Sequence, residues 1–127
     1  MHAIAHPVGS WFNTHHGLTN AVILPYVMVF NRNAIADKTD LIARILNLPA
    51  RGFDGFLESV LELRRALGIP HSLAEIGVSV DKATIIGREA AIDPSAGGNP
   101  IPVDASHLEH IFRAAVEGRL GAAVYAA

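Results

Sequence analysis

Residues 18–30 constrain the fold more than any other part of the sequence, because they are apolar nearly all round. A helix with no polar face belongs in a protein interior. The segment contains Pro25, which lacks an amide hydrogen and should kink the helix. Its most apolar part, residues 21–30, is ten residues long, well short of the roughly 20 needed to cross a bilayer. We therefore predict a buried, kinked helix and no membrane span.

The other apolar residues also recur at helical spacing, and no alternating β-branched run bounded by turns is present. The predicted fold is an all-α bundle of about six helices. Five helices are predicted over residues 2–12, 18–30, 53–67, 82–92 and 106–117, the first of them bent at Pro7 and Gly9. A further helix is predicted to begin after the capping residues Thr39 and Asp40 and to stop at Pro49. A capping box predicts a short helical turn at 72–75. The prolines and glycines of residues 93–102 predict a loop. The end of the chain from Gly118 is expected to be frayed.

Two side-chain patterns predict what these helices bury. Leu41, Ile42, Ile45 and Leu46 are spaced as the inward apolar face of the third helix, and the fourth has a similar stripe that ends at Leu67. The charged residues of the fourth helix are expected to form its solvated face; they are Glu58, Glu62, Arg64 and Arg65.

Length and composition exclude several classes of protein. The 127 residues suit one domain, residues 1–127, and half of them are apolar, enough for a real core. A net charge of −2 without a basic block argues against nucleic acid as a partner. There is no cysteine, so any metal must be held by histidine or carboxylate. The first residues do not resemble a secretion signal, and we expect a cytoplasmic protein.

The densest group of chemically useful residues is His2, His6, His15 and His16. On a helix, His2 and His6 project from one face a turn apart, and a turn after residue 12 could bring His16 to the same face. Imidazole binds both Zn²⁺ and Fe²⁺ well. Spacing alone leaves two interpretations, a metal site or polar surface histidines. The first carboxylate after the cluster is Asp37, so the segment offers an incomplete ligand set.

Longer motifs around these histidines carry a resemblance. The order HAIAHPVG over residues 2–9, followed by NTHHGLTNAVILP over 13–25, resembles a signature region of the iron-containing (group III) alcohol dehydrogenases. The GGNP sequence at 97–100, followed by a capped last helix, resembles the closing segment of the same family. Together the two motifs imply that the whole chain resembles the family's C-terminal all-helical domain, a dehydroquinate synthase-like α domain.

The resemblance implies a function and roles for three residues. In that family Fe²⁺, sometimes Zn²⁺, lies between two domains, and an Asp and three His hold it. Two of these ligands correspond to His2 and His16, and the position of His6 corresponds to a residue that relays a proton or orients the cofactor. The family transfers hydride between a small alcohol or aldehyde and NAD(P). Two departures from its pattern are His15, where proline is common, and Ile101, where arginine is common.

The remaining metal ligands and the phosphate-binding loop belong to the family's N-terminal nucleotide-binding domain, which has no counterpart in these residues. We therefore expect this polypeptide alone to bind NAD(P) poorly and to lack dehydrogenase activity. The alternative is a non-enzymatic helical module that self-associates as a homo-oligomer or pairs with a separate chain.

Simpler interpretations suffice for the other candidates. Trp11 and Phe12 are expected in core or interdomain packing. His107 and His110 are expected to be solvent-exposed, and His71 to be an ordinary loop residue.

Overall fold

The predicted buried helix is the centre of the structure. In the computed structural model, which describes residues 1–125, this helix spans His16–Phe30, with Pro25 inside it. Val22, Ile23 and Tyr26 are completely buried. A helix that is apolar on all sides must bury all of its sides against other elements. Here the first, fourth and last helices all contact it.

Six α-helices and no strand occur in the described part of the chain, which confirms the all-α prediction. They are α1 His2–Phe12, α2 His16–Phe30, α3 Arg32–Ile45, α4 Gly52–Ala66, α5 Ala83–Ile92 and α6 Ala105–Glu117. Short 3₁₀ turns occur at Leu73–Ile76, Val80–Lys82, Pro94–Gly98 and Leu120–Ala123. Within residues 1–125, no helix combines the length and apolarity needed to span a membrane.

The helices pack as two connected groups. The most extensive contacts are between α5 and α6 and between α3 and α4. Helix α1 packs on both α5 and α2, and α6 packs on α2. The first group, made of α1, α2, α5 and α6, therefore contains most of the core, while α3 and α4 form a hairpin beside it.

The predicted start of the third helix was wrong. Helix α3 begins at Arg32, so Thr39 and Asp40 lie inside it. The Thr39 hydroxyl donates to the carbonyl of Ile35, one turn back, and so does not act as a cap. The Asp40 carboxylate accepts a hydrogen bond from the backbone N–H of Gly52 at 2.9 Å. Asp40 therefore caps the start of α4 and not the start of its own helix.

The predicted inward face of α3 was also wrong. Leu41, Ile45 and Leu46 are 57%, 71% and 58% exposed, and the buried residues of α3 are the small Thr39 and Ala43. Small side chains let α3 and α4 approach closely, and this turns the larger neighbours outward. The large apolar residues exposed on α3, on α4 and just beyond their ends are Leu41, Ile42, Ile45, Leu46, Leu63 and Leu67.

Arg64 is buried, contrary to the prediction of a solvated charged face, whereas Arg65 is exposed as predicted. The Arg64 guanidinium donates to the carbonyl oxygen of Val22 at 2.8 Å and to Nδ1 of His71 at 2.7 Å. Because Nδ1 accepts, Nε2 of His71 must carry the proton that it donates to the carbonyl of Gly118, 3.1 Å away. Burial lowers the pKa of Arg64. His71 is thus a structural link between α4 and the end of α6.

The predicted loop and chain end are more ordered than expected. Residues 93–102 contain the 3₁₀ turn Pro94–Gly98, which Asp93 caps by accepting from the backbone N–H of Ser95. After α6, Gly118 adopts a left-handed conformation with φ 71°, and Ala123 is buried. The rest of the end predicted to be frayed, residues 126–127, lies outside the described residues.

Replacing Gly87 by Ala should lower the free energy of unfolding by about 1–3 kcal/mol. A Cβ there would lie 2.6 Å from the carbonyl oxygen of Ala105, so α5 and α6 would have to separate. Chemical denaturation measures the change. Gly97→Ala is the control, because nothing lies within 4 Å of its added Cβ. Equal stabilities of the two variants would contradict the close approach.

Replacing Arg64 by Met should cost about 1–3 kcal/mol, because the hydrogen bonds from the guanidinium to the Val22 carbonyl and to His71 are lost while the aliphatic stem is retained. Arg65→Met, at the exposed neighbouring position, should change stability by less than about 0.5 kcal/mol. Thermal and urea unfolding of both variants check the difference. A stability loss of the same size in both would show that the buried guanidinium has no special role.

Candidate metal centre

A tight reversal of the chain brings the two histidine-bearing helices together. Helix α1 ends at Asn13, which adopts a left-handed conformation (φ 54°) that Asn tolerates better than most residues. Its backbone N–H bonds to the carbonyl of Gly9, and α2 begins three residues later at His16. The first turn of α2 therefore lies beside the face of α1 that carries His2 and His6.

The three rings form one cluster. The His2 and His6 centroids are 6.2 Å apart, those of His2 and His16 5.5 Å, and those of His6 and His16 5.1 Å. The rings of His6 and His16 are nearly parallel, at 13°. All three residues are exposed, whereas Ile4, Ala5 and Val8 of α1 are buried. The cluster therefore faces outward from the bundle.

One ring of the cluster has a carboxylate partner that the sequence analysis missed. Nδ1 of His6 lies 2.7 Å from Oδ2 of Asp93, at the end of α5. The other oxygen of Asp93 accepts hydrogen bonds from the hydroxyl and backbone N–H of Ser95. Hydrogen bonds from Ser95, and then from His6, lower the pKa of Asp93 to about 2. Asp93 and His6 are 87 positions apart, so no local motif could have indicated the pair.

Asn20 carries an unsatisfied atom beside the cluster. Its Nδ2 lies 3.1 Å from Nε2 of His16, and its Oδ1 is buried without a partner among the described residues. Exchanging the two ends of the amide would leave the other atom in the same position. A buried amide atom without a hydrogen-bond partner is costly, and among the described residues Asn20 Oδ1 is such an atom.

The donor set suits a metal in kind but not in number. Imidazole nitrogens are good ligands for divalent iron. Among residues 1–125, however, no three His, Cys, Asp or Glu side chains converge closely enough to hold a metal ion. Catalytic metal sites usually have at least three protein ligands.

A cavity of about 250 Å³ borders the cluster at His2 and extends to the GGNP segment. Asn99 of that segment exchanges two side-chain hydrogen bonds with Asn31, at 2.8 and 2.9 Å, and also donates to the carbonyl of Ile101. These bonds hold the segment against the end of α2. Apolar side chains such as Leu24 and Val27 form much of the wall.

The structure separates the other candidate residues from the cluster. Nδ1 of His15 accepts from the backbone N–H of Leu18, so His15 caps α2. Trp11 is 44% exposed and donates to Glu89, so it does not belong to the core of this chain, and its packing against a second domain stays a prediction. His107 is half-buried, caps α6 together with Asp104 and packs against Phe30, which corrects the prediction of exposure.

His110 is exposed, as predicted. Phe12 is half-buried and packs against the core.

Comparison with known proteins decides the family. The family model described as "Fe-containing alcohol dehydrogenase family, C-terminal" matches residues 1–116. The chain belongs to this family. The resemblance seen in the sequence motifs is thereby confirmed, and the helical bundle is the family's C-terminal domain.

The relatives agree in sequence and in structure. Lactaldehyde reductase of Escherichia coli (strain K12) is 31% identical over 121 residues, which cover 91% of this chain and 32% of that protein. NADPH-dependent butanol dehydrogenase of Clostridium saccharobutylicum is 29% identical over 125 residues, covering 92% of this chain and 32% of the relative. The chain therefore spans about a third of the length of the curated relatives it matches.

Among solved structures, a 1,3-propanediol oxidoreductase superposes with a TM-score of 0.82 at 28% identity, over 90% of this chain and 31% of that one. The iron-containing alcohol dehydrogenase of Thermococcus thioreducens gives 0.81 at 29% identity, over 93% of this chain and 32% of that one. The fold of this iron-containing alcohol dehydrogenase domain is therefore that of its family.

Replacing Ser95 by Ala should raise the pKa of Asp93 from about 2 toward its ordinary value of 3.8, because the largest source of carboxylate stabilisation is the Ser95 side chain. In the wild type this stabilisation is complete above the ordinary pKa and is lost as the pH falls through about 2. A ¹³C-carboxyl NMR titration measures the midpoint. The exposed Ser10→Ala is the control, and an unchanged Asp93 midpoint in Ser95→Ala would refute the assignment.

Proposed function

We propose that this chain contributes His2 and His16 as ligands, and His6 as a proton-handling residue, to the catalytic Fe²⁺ site of an NAD(P)-linked alcohol dehydrogenase. The observation that carries the proposal is the outward-facing cluster of three imidazole rings in a chain of this family. The other ligands and the nucleotide site would come from an N-terminal domain of the kind that the family joins to this one.

The incompleteness of the site supports a shared metal. The cluster supplies imidazoles, and the carboxylate that contacts it within residues 1–125, that of Asp93, is already engaged by His6 and Ser95. The exposed rings lie at one edge of the bundle, where a second domain can supply further ligands.

The residues of this chain have distinct tasks in the proposed reaction. When bound, Fe²⁺ supplies Lewis-acid polarisation of the substrate oxygen. His6 lies against both proposed ligands and exchanges the proton that the alcohol loses on oxidation or gains on reduction. NAD(P), when bound to the second domain, would supply the hydride acceptor for alcohol oxidation and the hydride donor for the reverse reaction.

Small alcohols and aldehydes are the proposed substrates. The names of the relatives refer to lactaldehyde, butanol and 1,3-propanediol, all small molecules. The cavity beside His2, about 250 Å³ with a partly apolar wall, is of a size that suits such compounds.

A second candidate function, a helical module that self-associates or pairs with a separate chain, is favoured by the exposed apolar side chains of α3. Leu41, Ile45 and Leu46 are all more than half exposed. Clustered exposed apolar residues commonly mark association surfaces. Light scattering over a range of concentrations distinguishes the possibilities, because a strict monomer at all concentrations excludes self-association.

The 127-residue polypeptide alone should bind Fe²⁺ weakly and show no NAD(P)-dependent turnover of short alcohols, because residues 1–125 hold no full ligand set and the chain spans only about a third of the length of its curated relatives. Anaerobic titration calorimetry and absorbance of NAD(P)H measure the two properties. His16→Ala should abolish the weak iron binding, whereas His110→Ala, at an exposed site on α6, should leave it unchanged.

The matched gain-of-function experiment joins this chain to the part of E. coli lactaldehyde reductase that precedes its matched region. Iron-dependent oxidation of NAD(P)H by a short aldehyde is expected in the chimera and should be lost in its His2→Ala and His16→Ala variants. A folded, iron-loaded chimera that remains active without both histidines would overturn the proposed ligand roles.

A further inference from the structure

We propose that Asp93 is a positioning residue for His6: its carboxylate holds the proton of Nδ1 and so leaves Nε2 as the proton-accepting atom at the histidine cluster. The catalytic consequence rests on the proposed function, whereas the protonation pattern of the ring can be tested without it.

The direction of the hydrogen bond follows from the chemistry of the two groups. Nδ1 of His6 and Oδ2 of Asp93 are 2.7 Å apart, a short bond of the charge-assisted type. The pKa of Asp93 is about 2, so the carboxylate is ionised at neutral pH and can only accept. Nδ1 must therefore be the donor. In neutral His6 the unprotonated nitrogen is then Nε2.

Asp93 is itself fixed in place. Its Oδ1 accepts from the backbone N–H of Ser95 at 2.8 Å and from the Ser95 hydroxyl at 2.5 Å, which leaves Oδ2 for His6. The Asp93 side chain is only 15% exposed, against 49% for His6. The Asp93 carboxylate is thus held in place by Ser95, and the more exposed His6 ring is hydrogen-bonded to it. The same arrangement occurs in sites where a carboxylate orients a functional histidine.

The position of the His6 ring beside the two proposed metal ligands indicates a role for Nε2 as a proton acceptor. His6 stacks against His16 at 5.1 Å and lies 6.2 Å from His2, the two proposed metal ligands. During alcohol oxidation Nε2 of His6 would accept the hydroxyl proton, and NAD(P)⁺, when bound, would supply the hydride acceptor. Asp93 remains ionised throughout and stabilises the imidazolium that forms, so no further oxidant or base is needed.

A purely structural explanation would be that Asp93 only ties α1 to the end of α5. The chain offers a matched control, because Nε1 of Trp11 on α1 donates to Glu89 on α5 at 3.0 Å. This second link joins the same two helices through a carboxylate but involves no histidine. Losing either link should weaken the packing of α1, whereas only the loss of Asp93 should change the protonation of His6.

The test is long-range ¹H–¹⁵N NMR of the uniformly ¹⁵N-labelled full chain, with the His6 signals assigned from their absence in His6→Gln. At about pH 8.5, above the ordinary imidazole range, the wild-type ring should show a protonated Nδ1 and an unprotonated Nε2. Asp93→Ala should move the proton mainly to Nε2, and Glu89→Ala should leave it on Nδ1. A wild-type ring protonated at Nε2 alone, or a pattern unaffected by loss of Asp93, would overturn the proposal.

The wild-type spectrum is decisive even if Asp93→Ala fails to fold, because it reports the protonation of the ring directly. In the active chimera, Asp93→Asn should lower kcat with little change in KM, and Glu89→Gln should lower neither. Equal kcat losses in both variants would show that Asp93 acts only as a structural link between α1 and α5. An inactive chimera whose His6 still carries its proton on Nδ1 would count against the proposed function and leave the orientation of the ring standing.

Discussion

The packing of α1 against α2 and α5 is the constraint on which the rest of the candidate site depends. Ile4, Ala5 and Val8 are almost completely buried against these helices, and this fixes which side of α1 faces outward. His2 and His6 lie on that outward side because they are one turn apart and out of phase with the buried residues. The reversal after Phe12 then sets the start of α2 against the same side. The core thereby arranges the histidines without burying them.

The sequence predicted the features that depend on local residue spacing. It did not predict the contacts between residues that are far apart in the chain. Continuous apolarity predicted the buried α2, and the histidine spacing, read with the family motif, predicted the cluster. Arg64 looked like part of a solvated face because nothing near it in sequence shows that the carbonyl of Val22, 42 positions away, needs a donor. Asp40 looked like the cap of its own helix because the N–H that it accepts from, that of Gly52, is 12 positions further on. Asp93 was missed for the same reason.

Polar residues that bridge distant segments are therefore the features that distinguish this domain from a generic helical bundle. Arg64 links α4 to α2 and, through His71, to the end of α6, and the Asn31–Asn99 pair holds the GGNP segment against α2. Buried polar networks of this kind are specific because each group left without a partner costs free energy. The apolar side chains exposed on α3 and the open histidine cluster are, by contrast, surfaces that this chain does not satisfy by itself.

The central claim is that His2 and His16 together bind one iron ion. Anomalous diffraction at the iron absorption edge, from crystals of the chain joined to a nucleotide-binding domain of its family, tests this most directly. A single anomalous peak is expected, with an imidazole nitrogen of each of these residues at about 2.1 Å, as in other imidazole–metal sites. A peak coordinated elsewhere, with both rings remote from it, would contradict the account.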